Sequence, residues 1–149
     1  MDILRRNTDY ALRLAVNLAK RYGDGSLSTR MLAGDEDVSY QLACKLMQKL
    51  HAAGLVQSNM GPKGGFQLSK APEKVPVLAV IEAIQGPLRL NRCLLGDGAC
   101  DRQDTCPIRE KIGLLQDRMD EYLTSVTLGE LAKTRKAVGK QKKRRRSAK

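Results

Sequence analysis

The sequence predicts a mainly α-helical chain with one small β-hairpin. Apolar residues recur at helical spacing along most of the chain, and Ser and Thr residues stand where helices would begin. A Gly-Pro-Lys-Gly-Gly turn separates two short strand-like runs, as a hairpin requires. A chain of 149 residues that is 42% hydrophobic can bury one ordinary core, so we expect a single compact body with appendages.

Three helices are predicted ahead of the hairpin. Residues 8–22 form an amphipathic first helix, with apolar positions at Ala11, Leu14, Ala15, Leu18, Ala19 and Tyr22. Ser28 can cap a short second helix that Gly34 interrupts, and Ser39 can cap a third helix. The apolar face of the third helix consists of Leu42, Leu46 and Leu50. Gly54 ends this helix, and strands follow around residues 55–58 and 66–69.

Two further helices and a short final one are predicted after the hairpin. The stretch VPVLAVIEAIQGP forms the first, with an apolar side made of Val77, Val80, Ile81 and Ile84. Pro107 suits the first position of the second. Its apolar residues alternate at spacings of four and three, like a coiled-coil seam: Ile108, Ile112, Leu115, Met119, Tyr122 and Val126. We expect this seam to form a homodimer. Thr127 and Glu130 make a capping box for a short final helix.

The order of helix, short helix, capped helix and hairpin is that of a winged helix-turn-helix, in which one helix enters the major groove of double-stranded DNA. Side chains suited to base edges and phosphates stand on the polar face of the third helix, at Ser39, Tyr40, Gln41, Lys45 and Gln48. Lys63, at the wing tip, can meet a phosphate. An ordinary solvated face has a similar composition, and the hairpin beside it favours DNA. A two-fold dimer predicts a pseudo-palindromic operator.

The formal charge of +11 is concentrated at the C-terminus. Residues 133–149 contain ten Lys or Arg and no acid, which leaves 17 basic and 16 acidic residues in 1–132. We predict a disordered basic tail that adds salt-sensitive attraction to phosphates; a solvated tail that aids solubility is the alternative. The expected organisation is a DNA-binding segment (1–74), a segment with a cysteine loop and the dimerisation helix (75–132), and the tail (133–149).

Composition also limits the compartment and the class of protein. The chain has no run of about 18 apolar residues, and its first residues do not resemble a secretory signal. We therefore expect a cytoplasmic protein with no membrane partner, in which clustered cysteines more often bind metal than each other. No cysteine-histidine or carboxylate pair is arranged for turnover, so we do not expect an enzyme.

Three of the four cysteines lie in the stretch CLLGDGACDRQDTC, at Cys93, Cys100 and Cys106. Structural zinc sites pair ligands two to four residues apart, whereas six and five residues separate these cysteines. A flexible loop can instead wrap around an iron-sulfur cluster, which commonly takes four ligands, chiefly cysteines. Further oxygen donors in the loop, which we expect to be solvated, are Asp97, Asp101 and Asp104.

The stretches TDYALR, GLVQSNMGPKGGFQLSKAPE, VIEAIQGPL and TLGELA, with the three-cysteine loop, resemble the IscR/NsrR/RirA family of bacterial winged-helix transcription regulators over about residues 1–132. The resemblance implies a homodimeric DNA-binding regulator whose loop holds an iron-sulfur cluster, of the 4Fe-4S or 2Fe-2S type. Such a protein senses cluster supply, nitric oxide, iron or redox state.

The resemblance also bears on the fourth ligand. The IscR branch has a histidine ligand three residues after its last cysteine, but Arg109 stands there in this chain. The NsrR branch uses an aspartate from the first helix of the partner subunit, and Asp9 matches that position. The resemblance thus implies Asp9 as a ligand, although the helix dipole alone also favours an acid in a first helical turn.

Two residues of the third helix stay outside this scheme. Cys44 is expected to be a small packing residue, with a thiol that oxidation can alter close to DNA as the alternative. His51 is expected to be solvated at the end of the helix. Two rival functions remain open on the sequence alone: a DNA-binding protein without a cluster, and a small cluster carrier or redox protein.

Overall fold

The computed structural model describes residues 2–133 and confirms a mainly helical fold with a two-stranded antiparallel hairpin. Apart from Lys133, the predicted basic tail lies outside the described residues. The elements in chain order are α1 (Arg6–Lys20), α2 (Thr29–Glu36), α3 (Tyr40–Ala52), β1 (Val56–Asn59), β2 (Gly65–Leu68), α4 (Val77–Gln85) and α5 (Pro107–Ser125). Two short 3-10 turns, Pro72–Lys74 and Arg92–Leu94, and a last helical segment over 128–133 complete the described chain.

The first helix begins and ends two residues earlier than predicted, so that Tyr22 lies exposed beyond it. Its start is held by a contact from the far end of α4. Oε1 of Gln85 accepts hydrogen bonds from the Arg5 amide (3.1 Å) and the Thr8 hydroxyl (2.6 Å). A long-range contact of this kind shifts a helix boundary that local periodicity alone sets two residues later.

The caps of α2 and α3 follow the prediction. The Ser28 hydroxyl accepts from the Met31 amide (3.1 Å), and the Ser39 hydroxyl accepts from the Leu42 amide (3.3 Å). The predicted interruption of α2 at Gly34 is wrong, because the helix runs on to Glu36. It ends instead at Asp37, whose left-handed backbone (φ 54°) turns the chain toward α3.

The hairpin pairs Val56 with Leu68 and Ser58 with Phe66. Leu27 pairs with the outer side of β2 as an isolated antiparallel bridge. Its amide and carbonyl exchange hydrogen bonds with Phe66 (2.9 and 2.8 Å). Gly65, with φ +153°, lies directly against the Leu27 backbone, and a Cβ there would overlap the Leu27 carbonyl. The wing is therefore attached to the loop ahead of α2 at a position that only glycine suits.

One hydrophobic cluster joins α1, α2, α3 and the wing to residues that follow the wing, including Val75, Val80 and Leu128. Backbone hydrogen bonds tie the two distant segments together: the Val77 amide donates to Val126, and the Leu128 amide to Val75 (both 2.9 Å). The predicted division at residue 74 thus stays a prediction about function, since one core spans both sides of it.

A second, smaller cluster packs α5 on α4. Val77, Ile81 and Leu88 form its buried centre. Met119, Leu123 and Val126 of the α5 side pack against them. Within residues 2–133, no helix is long and apolar enough to cross a membrane.

Candidate functional site

The polar face of α3 lies on the surface, opposite the buried Leu46 and Leu50. The exposed residues on it include Tyr40, Gln41, Lys45 and Gln48. Ser39 is exposed too, although its hydroxyl oxygen is engaged as the helix cap. Lys63 is exposed at the tip of the wing. All six predicted DNA-binding residues are thus accessible, and their contact with DNA stays a prediction.

Tyr40 is the centre of a small cluster at the start of α3. The Arg30 guanidinium, from α2, lies 4.8 Å from the centre of the Tyr40 ring. A hydrogen bond with the Cys44 thiol raises the pKa of Tyr40 above its ordinary value. Arg30 therefore adds an exposed cation to the face that we predict for DNA. Sequence reasoning missed it, because only the angle between α2 and α3 brings the two residues together.

The other two residues singled out on α3 are Cys44 and His51. Cys44 is half-buried, and its thiol is free. His51 is exposed, as predicted, but its Nδ1 lies 3.1 Å from the Val56 carbonyl oxygen, and its ring meets the edge of Phe66. His51 therefore helps to join the end of α3 to the wing.

The three loop cysteines line one cavity of about 500 Å³. Cys93, Cys100 and Cys106 are all half-buried free thiols. Short turns build the loop, and within it the Gly98 amide donates to Oε1 of Gln103 (2.9 Å). Cys106 occupies the N-cap position of α5, directly before Pro107. The fold thus brings together three soft donors that lie far apart along a glycine-containing loop.

The kind of group that these thiols suit follows from their spacing. Among residues 2–133, no group of three or more His, Cys, Asp or Glu side chains is gathered closely enough to hold a single metal ion. Three thiols around an open cavity suit a larger iron-sulfur group better than zinc, which requires four donors at about 2.0–2.3 Å. Thiolates are the chief ligands of iron-sulfur clusters, which commonly take four ligands, and this cavity offers three thiols.

The four candidate carboxylate ligands lie in the cysteine loop and on α1. Asp101 lines the cavity with the cysteines, and Asp104 lines a neighbouring one of about 600 Å³. Asp97 is exposed in the loop. Asp9 is exposed on α1 and does not line the cysteine cavity of its own chain, and its carboxylate forms no hydrogen bond or ion pair with the part of the chain described. Its role as a ligand from the partner subunit stays a prediction.

The predicted seam of α5 is divided in two, which corrects its description as a single dimer surface. Met119 and Val126 pack against α4 of the same chain. In contrast, Ile108, Leu115 and Tyr122 recur every seven residues and are 64%, 52% and 68% exposed. We call these three residues the exposed stripe of α5. It is an apolar surface that the described chain leaves in solvent.

Comparisons with known proteins agree on one family. A family model for Rrf2, described as an iron-dependent transcriptional regulator, matches residues 4–134. The HTH-type transcriptional regulator NsrR of Halalkalibacterium halodurans is 31% identical over 78% of both chains. IscR of Escherichia coli O1:K1 is 30% identical over 82% of this chain and 75% of its own. The structure of CymR, the global cysteine regulator of B. subtilis, matches with a TM-score of 0.74 at 28% identity, over 89% of this chain and 98% of CymR. The chain therefore belongs to the Rrf2 family of transcriptional regulators.

Proposed function

We propose that this regulator binds operator DNA as a cytoplasmic homodimer, and that an iron-sulfur cluster on Cys93, Cys100 and Cys106 controls its affinity for the operator. The observation that carries the proposal is the convergence of these three thiols on one cavity, next to the first turn of α5. Family membership supports transcription regulation, and the cavity supports the identity of the sensing group.

In this proposal the α3 face enters the major groove. The residues that contact base edges or phosphates are Ser39, Tyr40, Gln41, Lys45 and Gln48, and Lys63 of the wing meets the backbone. Two α3 helices related by a two-fold axis bind the two halves of a pseudo-palindromic operator. Affinity for this operator then depends on the distance between the two helices.

The loop and α1 link that distance to the cysteines. We propose Asp9 of the partner subunit as the fourth ligand, because Asp9 matches the position of the aspartate ligand in the NsrR branch. The helix that carries it, α1, belongs to the same core as α3. A bond between one subunit's loop and the other's α1 would hold the two DNA-binding faces at one spacing. An iron-sulfur cluster supplies a group that nitric oxide, oxidants or iron shortage can remove. Coupling of this type typically changes affinity about 5- to 150-fold.

The proposal is tested by purifying the full chain without oxygen and measuring iron, sulfide and visible absorption. We expect Cys100→Ala to lose the cluster and Cys44→Ala, a cysteine outside the loop, to retain it. Asp9→Ala and Asp101→Ala separate the two candidate fourth ligands, since only the true ligand should lower cluster content. DNA selected from a random pool then serves to compare cluster-loaded with cluster-free protein. Equal affinity of the two forms for the selected DNA would refute control by the cluster.

A second candidate is a regulator of the same fold without a cluster. The likeness to CymR favours it, because CymR is named as a regulator of cysteine rather than of iron. Anaerobically purified protein that binds selected DNA tightly but contains neither iron nor sulfide would support this candidate over the first.

A further inference from the structure

Gln116 is a buried polar residue on α5, only 5% exposed. Its Nε2 donates to the Leu88 carbonyl (2.8 Å) and to Oδ1 of Asp120 (2.9 Å). Its Oε1 accepts from the Leu90 amide (2.9 Å). Both amide hydrogens and the amide oxygen are therefore engaged, and two of the three bonds hold the backbone that leads into the cysteine loop.

These bonds attach the beginning of the loop to the helix that also holds its end. Leu90 lies three residues before Cys93, and Cys106 is the N-cap of α5. Gln116 follows Cys106 by ten residues, which is about 15 Å along a helix. An ion pair between Arg89 and Asp120 (3.8 Å) reinforces the same attachment. Both ends of the loop are thus fixed to one rigid element.

Apolar residues surround this attachment, since Leu88 and Met119 belong to the second hydrophobic cluster. A buried amide is unfavourable there unless its hydrogen bonds are made, whereas an apolar side chain of the same size would fill the space without them. The bonds to Leu88 and Leu90 therefore account for the presence of glutamine at this position.

We propose that Gln116 is a positioning residue for the cysteine site: it sets the distance from Cys93 to Cys106 by holding the start of the loop on α5. The inference rests on the proposed function, in which these thiols bind an iron-sulfur cluster. A loop whose ends are already fixed loses less conformational entropy when its thiols bind a common group. Residues that orient metal ligands typically change metal affinity about 10- to 100-fold when replaced.

The test compares the full-length wild type with Gln116→Met and Asn17→Leu, each of nearly unchanged size. Asn17 is the matched control, because it is similarly buried and hydrogen-bonded (2.9 Å to Glu36) but lies between α1 and α2. Cluster loss is followed anaerobically as the decay of visible absorption after a ferrous chelator is added. Thermal unfolding and hydrogen exchange are measured on the cluster-free proteins, with the Leu90 amide as the reporter.

We expect Gln116→Met to lose its cluster at least about tenfold faster than the wild type, with faster exchange at Leu90. Asn17→Leu should lower thermal stability to a similar extent and keep the wild-type decay. An unchanged rate of cluster loss in Gln116→Met, or an equal acceleration in Asn17→Leu, would overturn this inference and leave the proposed function standing. A wild type without iron or sulfide would instead overturn the proposed function. If Gln116→Met does not fold, Gln116→Glu serves in its place, because it keeps the acceptor for Leu90 but not the donors. We expect its cluster to decay at an intermediate rate. A wild-type rate of decay in Gln116→Glu would count against a positioning role.

Discussion

The exposed stripe of α5 makes a quantitative prediction about the proposed homodimer. Leu115 lies at its centre and is 52% exposed. Replacing it with Ala should weaken association, because a second copy of the stripe would otherwise bury this side chain. Leu114 offers a matched control: it is the same residue type, it is also 52% exposed, and it lies about 100° around the helix from Leu115.

The size of the effect follows from the exposed fraction. Complete burial of a leucine side chain contributes about 1.5–3 kcal/mol, so burying the exposed half contributes about 0.8–1.5 kcal/mol. A two-fold interface buries both copies, which doubles the loss to about 1.5–3 kcal/mol per dimer. Since each 1.4 kcal/mol is a factor of ten, Leu115→Ala should raise the dissociation constant of the dimer roughly 10- to 150-fold.

Sedimentation equilibrium of the cluster-free full chain, over a dilution series, measures this constant directly. The dissociation constant of Leu114→Ala should stay within about threefold of the wild-type value. Leu114 lies off the stripe, so a dimer formed through the stripe would not bury this side chain. A wild-type dissociation constant for Leu115→Ala would show that the stripe does not form the interface. Equal weakening by the two variants would show that the interface is centred elsewhere on α5.

Two further predictions concern the DNA-binding half. Arg30 stacks on Tyr40 at the edge of the α3 face, so Arg30→Met should weaken binding to all DNA sequences and lower the slope of log affinity against log salt by about one. Arg21→Met, whose guanidinium pairs with Asp35 (2.7 Å), should leave that slope unchanged, and equal slopes for both variants would exclude a phosphate contact by Arg30. Gly65→Ala should destabilise the fold by about 2–4 kcal/mol, because a positive φ and backbone overlap add together. Gly61→Ala, with a positive φ but open space, should cost only about 1–2 kcal/mol in denaturant unfolding; similar losses for both would contradict the close approach.

Local signals in the sequence were sufficient for most of the fold. Ser28 and Ser39 cap the helices that they were predicted to cap, and Pro107 begins α5. The amide of Glu130 donates to the Thr127 hydroxyl (3.3 Å), as one half of the predicted capping box. These features depend on residues within one turn of each other, so a linear sequence contains the information that they require.

The features that the sequence did not predict depend on distant contacts. The start of α1 is held by Gln85, and the divided seam of α5 depends on which of its residues α4 covers. The bonds of Gln116 to the chain before the loop span 26 and 28 positions. Each of these features depends on how the helices pack against each other, and the periodicity of residues along one helix does not give that information. Asp101 was named from the sequence as an oxygen donor of the loop that we expected to be solvated; it is exposed, and it also lines the cysteine cavity.

The connection between residues 75–77 and 126–128 limits which fragments of this protein can fold. Leu128 is completely buried in the same cluster as the helices of the DNA-binding half. A fragment that ends after the wing would lack Val75, Val80 and Leu128, and would therefore expose a hole in its own core. We expect no such fragment to fold. We also expect that a chimera in which the part after residue 74 comes from a relative would be unstable. Any change to the part of the chain that carries the cysteine loop therefore has to keep the residues that complete the core of the DNA-binding part.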